Sequence, residues 1–335
     1  GVYLEYHGGA TVTQNVVEGP GRRGIELDDS NGEFAVTKNT LDVSGRGIEL
    51  DDSDGASSTA RGLVANNEIT ANTGNAGIRL DASGNVDVFH NSVNVTGDGR
   101  AFYGRYSGGT QVRNNVFAAS GGEAVRTDNT SFTLDYNDLY TTGSVLVEFD
   151  NTDYADLSAY RSGTGQGANS VSADPAYASS TDLTPSRPFL DGAGEDLTAT
   201  VPEDITGATR TPPVDLGAIE FTAVQPLAGT YTIGGSSPDY ANFAGAVSAL
   251  QTRGVDGTVT FEVRDGTYSE SVEISPIGGA SPQNTITFRS VSGDSSAVTI
   301  EAPGDGGSEP LRINGADYFQ FEQMTLKATN GSGDA

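Results

Sequence analysis

The sequence predicts an all-β solenoid, a chain wound into stacked parallel coils. Three observations predict it. A short alternating strand recurs at near-constant spacing. An Asn recurs at one point of every segment. The composition favours turns over large side chains, with 45 Gly, one Met, no Trp and 8% aromatics in 335 residues.

The strands come first. Segments opening at Gly1, Gly24, Gly47, Gly77, Ala101 and Ala124 align. The steps 24 to 47 and 101 to 124 are each 23 residues, and 77 to 101 is 24. The step 47 to 77 is 30, which places a loop insertion at "DGASSTARG". Inward positions are Val2 and Leu4, Ile25 and Leu27, Ile48 and Leu50, Ile78 and Leu80, in strict alternation. Two segments share the heptapeptide "GIELDDS", at Gly24 and Gly47. A Gly/Ser/Asp-rich turn follows each strand.

A second strand of the form apolar-x-x-Asn comes next. Its Asn falls at Asn15, Asn39, Asn67, Asn91, Asn115 and Asn137. If each segment is one coil, equivalent residues lie about 4.8 Å apart. Apolar residues then stack into a continuous core. Asn tolerates left-handed backbone angles at a sharp turn, and stacked amides hydrogen-bond into a ladder.

This pattern resembles the right-handed parallel β-helix repeat proteins, including large secreted bacterial surface proteins of adhesin type and the pectate-lyase-like solenoids. The resemblance covers residues 1–150 through the Asn ladder. It implies a right-handed parallel β-helix with short capping helices. "YADLSAYRSGTGQGANSVSADPAY" from Tyr154 resembles the segment that closes such domains, a short helix followed by a turn and a "DP" step. "PVDLGAIEF" at 213–221 resembles their terminal strand.

A second start follows. Tyr240, Phe243, Val247 and Leu250 sit at helical spacing, with Asp239 placed to cap and Gly254 ending the run. A helix there would cover the open end of a new coil, whose strands begin at "TVTFEV", "NTITFRS" and "AVTIEAP". The expected division is 1–150 for the coils, 151–222 for the closing segment and 223–335 for the helix-capped start of a second β-helix. Leu311 and Ile313 match Val2 and Leu4, and "NGADY" matches "HGGAT". The chain therefore reads as one tandem unit cut in mid-coil, a full domain running from about Leu227 through Ala335 and on from Gly1 to near Phe221. The other reading is a cut across two different β-helices.

Charge bounds the function. Asp and Glu total 45 against 18 Lys and Arg, a formal net charge of −27, and the only lysines are Lys38 and Lys327. Such a surface repels nucleic acid and anionic membranes and attracts cations. No apolar run is long enough to span a membrane, so membrane insertion is not expected. With no Cys there is no disulfide, thiol nucleophile or thiolate metal site.

Asp28, Asp29, Asp51 and Asp52 stack on successive coils. They offer the hard oxygen ligands that calcium takes. The alternative is a solvated acidic face. Glu49 is placed to pair with Arg79 across adjacent coils, worth up to about 1 kcal/mol if the pair is exposed. Tyr3, Tyr6, Tyr103 and Tyr106 mark an aromatic face, suited to sugar rings or to plain surface packing. Enzymatic sets can be assembled from Asp28, Asp51, Asp52 and Arg79 by analogy with β-helix polysaccharide lyases and hydrolases. The only histidines, His7 and His90, lack the context of a catalytic triad. Sequons lie at Asn94, Asn129 and Asn330, a weak signal in so Asn-rich a chain.

The resulting expectation is a structural or adhesive extracellular protein, one unit of a tandem array at a cell surface, without catalytic residues. Its expected partners are further copies of itself. The alternative is a carbohydrate-binding or polysaccharide-degrading β-helix.

Overall fold

Alternating Val/Ile/Leu residues build parallel ladders in the computed structural model, one strand per coil. The structure describes residues 1–328 except Pro20, Arg22, 129–130, Ala178 and 303–308. The described chain divides into two compact units, Gly1–Ala223 and Val224–Ala335, each with its own core.

Unit 1 is a right-handed parallel β-helix with three sheets. The first sheet stacks Val2–Glu5, Arg23–Asp28, Arg46–Asp51, Ala76–Asp81, Arg100–Arg105, Val125–Thr127 and Val147–Phe149, all parallel. The register is that of the repeat: Val2, Ile25, Ile48, Ile78 and Phe102 are partners, as are Leu4, Leu27, Leu50 and Leu80. The second sheet runs from Thr11–Thr13 to Thr133–Asp135 and carries the Val-x-x-Asn pattern. The third runs from Val16–Gly19 to Asp138–Thr141. Sequence reasoning missed this third strand, because it starts directly after the Asn and is short. Ile25, Leu27, Ile48, Leu50, Ile78 and Leu80 are all fully buried. Each contributes about 1.5–3 kcal/mol.

The Asn ladder is continuous. Nδ2 of Asn15, Asn39, Asn67, Asn91 and Asn115 each donates to Oδ1 of the next Asn at 2.9 Å, ending on Asn137. The backbone N–H of Asn137 passes the ladder to Ser170 Oγ at 3.1 Å. The left-handed residue is not the Asn but the one before it: Gln14, Lys38, Asn66, His90, Asn114 and Tyr136 have φ of 53–58°. That turn points the following Asn inward, where its amide satisfies buried backbone groups.

A second ladder sits at the other corner. Ser30, Ser53 and Ser83 each give a backbone N–H to the next serine Oγ at 2.9–3.0 Å, ending on Ser107. Asp29, Asp52, Ala82 and Tyr106, just before those serines, are left-handed with φ of 45–51°. The repeated heptapeptide thus has a structural role for six of its seven residues. A Cβ on Gly24 would lie 2.5 Å from Leu41 Cδ2 and 2.6 Å from Gly47 O, so no side chain fits. Ile and Leu fill the core, Glu meets arginines (below), the second Asp makes the left-handed turn, and Ser joins the ladder.

The last coil is closed in three steps. Thr152–Tyr154 pairs antiparallel with Val147–Phe149. Helix α1, Leu157–Thr164, follows; Asp156 Oδ1 accepts from Ala159 N, and Gly165 ends it in the left-handed region. Tyr160 and Leu157 plug the core end against Phe149. Residues 166–223 then return as an irregular strap over the left-handed row. Asn114 Nδ2 donates to Glu195 O at 2.8 Å, Asn66 Nδ2 to Glu203 O at 2.6 Å, and Lys38 pairs with Glu203 at 2.8 Å. The expected strand at 213–221 is not formed. Gly217 has φ +96°, its N–H goes to Asn114 O and that of Ala218 to Ser92 Oγ, so its hydrogen bonds are spent on the coil corner and not on a strand edge.

Unit 2 opens a second parallel β-helix. Leu227–Ile233, Val255–Val263, Ile286–Ser290 and Phe319–Glu322 form one sheet. Gly266–Ser269, Val298–Glu301 and Thr325–Lys327 form the next, and Val272–Ile274 with Leu311–Ile313 the third. Helix α2, Phe243–Arg253, buries Phe243, Ala246, Val247 and Leu250. Its cap is Asn242, whose Oδ1 accepts from Gly245 N, and not Asp239. Asp239 is engaged by the Thr232 N–H and hydroxyl at 2.7 and 2.8 Å.

Candidate functional site

The outer face of the first sheet in unit 1 gathers most of the sequence-predicted charge. Period-two alternation sends Glu26, Asp28, Glu49, Asp51, Arg79 and Asp81 to that face. The stacking brings them to one strand spacing.

Glu49 is the centre of a network. Its carboxylate meets Arg23 Nε at 2.6 Å, Arg46 Nη1 at 2.7 Å and Arg79 Nη1 at 2.5 Å, and its side chain is fully buried. Burial opposes ionisation, but the Arg46 and Arg79 hydrogen bonds overcome it and hold the carboxyl below its usual range. The expected Glu49–Arg79 pair exists, but as part of a buried cluster and not as an exposed pair. Burial likewise opposes ionisation of Asp81, where Arg105 and Arg79 prevail and lower its pKa. Arg105 Nε and Nη2 reach Asp81 at 2.5 and 2.6 Å, a bidentate fork. Burial pushes Asp51 up, reinforced by Asp81 and Glu49.

The four aspartates fall in two rows. Asp28 and Asp51 are register partners on adjacent strands, and Tyr3 OH donates to Asp28 at 2.9 Å. Asp29 and Asp52 occupy the left-handed corner, where the Asp29 N–H donates to Asp51 O. Among the described residues no three His, Asp or Glu side chains converge as a metal-holding group.

The other candidates disperse. Tyr3 and Tyr103 lie on strands separated by three others in the sheet. Tyr103 OH donates to Asp128, and Arg79, Arg100 and Arg126 pack on its ring at 5.6–5.8 Å. Tyr6 and Tyr106 are well exposed. Arg79, engaged by Glu49 and Asp81, is not free to serve an acid set with Asp28, Asp51 and Asp52. His7 is exposed. His90 is fully buried, and Asn114 Nδ2 donates to its Nε2 at 2.9 Å. Burial, then the Arg210 charge, push its pKa well down, so the ring is neutral. Asn94 lies on a third-sheet strand, half-buried. Asn129 and Asn330 lie outside the described residues.

Residues 1–154 match the sequence model of a family described as periplasmic copper-binding protein (NosD). No curated protein and no solved structure matches the chain. Copper favours thiolate, thioether and imidazole ligands. The matched residues contain no Cys and no Met, and their two histidines are one buried in a hydrogen bond and one alone at an exposed turn. That donor set does not fit a copper centre. What the match and the geometry share is the stacked coil: three parallel sheets, a repeating register and an inward Asn row. The chain is a right-handed parallel β-helix repeat protein.

Proposed function

We propose that the protein is a secreted structural or adhesive β-helix, one unit of a tandem array forming a fibre, filament or stalk at the cell surface. One observation carries the reading. The coil at 311–327 repeats the strand placement and left-handed corners of the coil at 2–18, with Met324 standing where the ladder has Asn15. Leu311–Ile313 stands on Val2–Leu4 and Thr325–Lys327 on Val16–Glu18. Three left-handed residues match at the same offset: Gly315 on Tyr6, Tyr318 on Gly9 and Gln323 on Gln14. A coil so matched can follow on from its equivalent with its corners in register.

Location outside the cytoplasm is supported by the periplasmic description of the matched family. No described helix is long and apolar enough to cross a membrane. A scaffold role is supported by the engagement of the first-sheet carboxylates with arginines. Electron microscopy of the native material tests the reading, with and without a calcium chelator. Regular fibres are expected, and their collapse on chelation would show that calcium holds them together, with Asp28, Asp29, Asp51 and Asp52 as the candidate ligands to mutate next. Discrete particles would overturn the array.

A carbohydrate-binding role is the second reading. It is favoured by an open recess of about 520 Å³ lined by Asn31, Asp54, Asn85 and the exposed Tyr106. Aromatic faces flanked by amides suit sugar rings. Glycan binding that is lost in Tyr106→Ala would establish it.

A further inference from the structure

A second cavity, of about 120 Å³, lies between the third sheet of unit 1 and the strap. Its floor is Glu68, flanked by Thr40 and Thr70; its rim is Asp42 and Glu18 on the neighbouring strands; Thr181 and Leu183 of the strap form the opposite wall. Register places Glu18 beside Asp42, Asp42 beside Thr70, and Thr40 beside Glu68. Glu68 and Asp42 are thus diagonal neighbours, with backbones about 8 Å apart.

Glu68 is more than nine-tenths buried, and its Oε1 has no hydrogen-bond partner. Among the described residues no ion pair engages Glu18, Asp42 or Glu68, in contrast to the arginine-paired carboxylates of the first sheet. No Lys or Arg lines the cavity. The strap side adds Asp182 and Asp204, which act on Glu68 as further negative charges. A partly open cleft with an unpartnered buried carboxyl, whose only charged lining groups are carboxyls, is complementary to a cation. The three carboxyls do not form a metal-holding group. They are spread along a cleft with Val16 and Leu183 between them as apolar wall.

We propose that this cleft binds a short alkyl diamine, one ammonium against Glu68 at the floor and the other against Asp42 and Glu18 at the rim. The methylenes lie on Val16 and Leu183, and the Thr40 and Thr181 hydroxyls accept the remaining N–H donors. An ammonium ion needs several acceptors at separate directions, which this arrangement supplies. Burial first, then Asp182 and Asp204, push the Glu68 carboxyl up to about 7, against the Leu183 N–H that lowers it. A bound ammonium ionises Glu68, and the displaced proton goes to the buffer. The site does not depend on array formation.

Calorimetric titration of the full chain with putrescine tests this, near neutral pH in two buffers of different ionisation enthalpy. One-to-one binding is expected, with release of roughly half a proton per site at pH 7. Glu68→Gln should weaken binding about tenfold and abolish proton release. Asp42→Asn, at the exposed rim, should weaken binding and leave the proton release in place. The uncharged diol analogue should not bind. Absence of putrescine binding overturns the proposal. So does equal affinity for the diol, binding unchanged in a folded Glu68→Gln variant, or calcium displacing putrescine at comparable concentration.

Discussion

Asn91 holds five hydrogen bonds at one buried point. Its Nδ2 donates to Asn115 Oδ1, Val64 O and Phe89 O, and its Oδ1 accepts from the Asn67 N–H and Nδ2. Asn91→Ala removes them and leaves Asn67 and Val64 with unpaired buried groups. The expected loss is about 3–5 kcal/mol, read as a lower urea midpoint. Asn15→Ala, at the half-buried first rung, should cost nearer 1 kcal/mol. The ladder itself was legible because six asparagines recur in register. Sequence alone points the left-handed turn at the Asn, the usual occupant of that region, whereas the structure puts it on the residue before. Here backbone geometry is fixed by the stack and tolerates Gln, Lys, His and Tyr instead. The serine ladder recurs as regularly, at Ser30, Ser53, Ser83 and Ser107, yet serine in a turn-rich chain draws no notice. Glu68 gives a pH effect at the same scale. Its folded pKa, about 7, lies above the ordinary glutamate value of 4.5. Its contribution is therefore full below about pH 4.5 and lost as pH rises through about 7. Glu68→Gln should match the wild type near pH 4 and exceed it by about 3 kcal/mol near pH 8, measured by urea unfolding at both values.

The strands of the first sheet act as elements that align charge as well as core. Stacking sets Arg23, Arg46 and Arg79 around one buried Glu49. Glu49→Gln leaves three guanidiniums without their shared counter-charge and should cost about 3–5 kcal/mol. Glu262→Gln, which breaks the more exposed pair with Arg289 in unit 2, should cost no more than about 1 kcal/mol. Thermal unfolding of the two variants side by side checks the contrast. The sequence showed which strands stack, because Ile and Leu alternate at fixed spacing. It did not show that Glu49 is buried, since burial there comes from long arginine side chains folding over the sheet. The closing segment at 151–222 was legible by resemblance, but not its course as a strap over the coil corners, since its residues have no period. Its course is set by polar contacts with Lys38, Asn66 and Asn114, which lie far away in sequence. The cavity over Glu68 was illegible for the same reason: the sheet supplies its floor and the strap its wall.

At the scale of the molecule, each coil bonds to the coils beside it, so stability spreads by neighbour contacts. The two units have separate cores, and each has its own helix packed on its core, α1 in unit 1 and α2 in unit 2. In the proposed array, the six parallel strands of the second sheet in unit 1 and the four of the matching sheet in unit 2, to which Phe319–Glu322 belongs, count the coils of one period. At about 4.8 Å each they give roughly 50 Å of coil. An axial repeat of that order in electron micrographs is the expected signature of the proposed array. The net charge of −27 keeps such a fibre apart from its neighbours and soluble.

The strap also makes the molecule a ruler. It grips the coil corners at Asn114, Asn66 and Lys38 through residues at fixed distances along its own length. A coil inserted between Lys38 and Asn114 would move one grip by about 4.8 Å relative to the next, and Glu195 and Glu203 could no longer both reach. On the near side of Lys38 no such grip is made, and a coil gained or lost there leaves these three in place, changing only the Val16 and Glu18 side of the cleft over Glu68. The twin heptapeptides at Gly24 and Gly47 straddle that boundary, so the strap tolerates changes of length in one direction along the axis and resists them in the other.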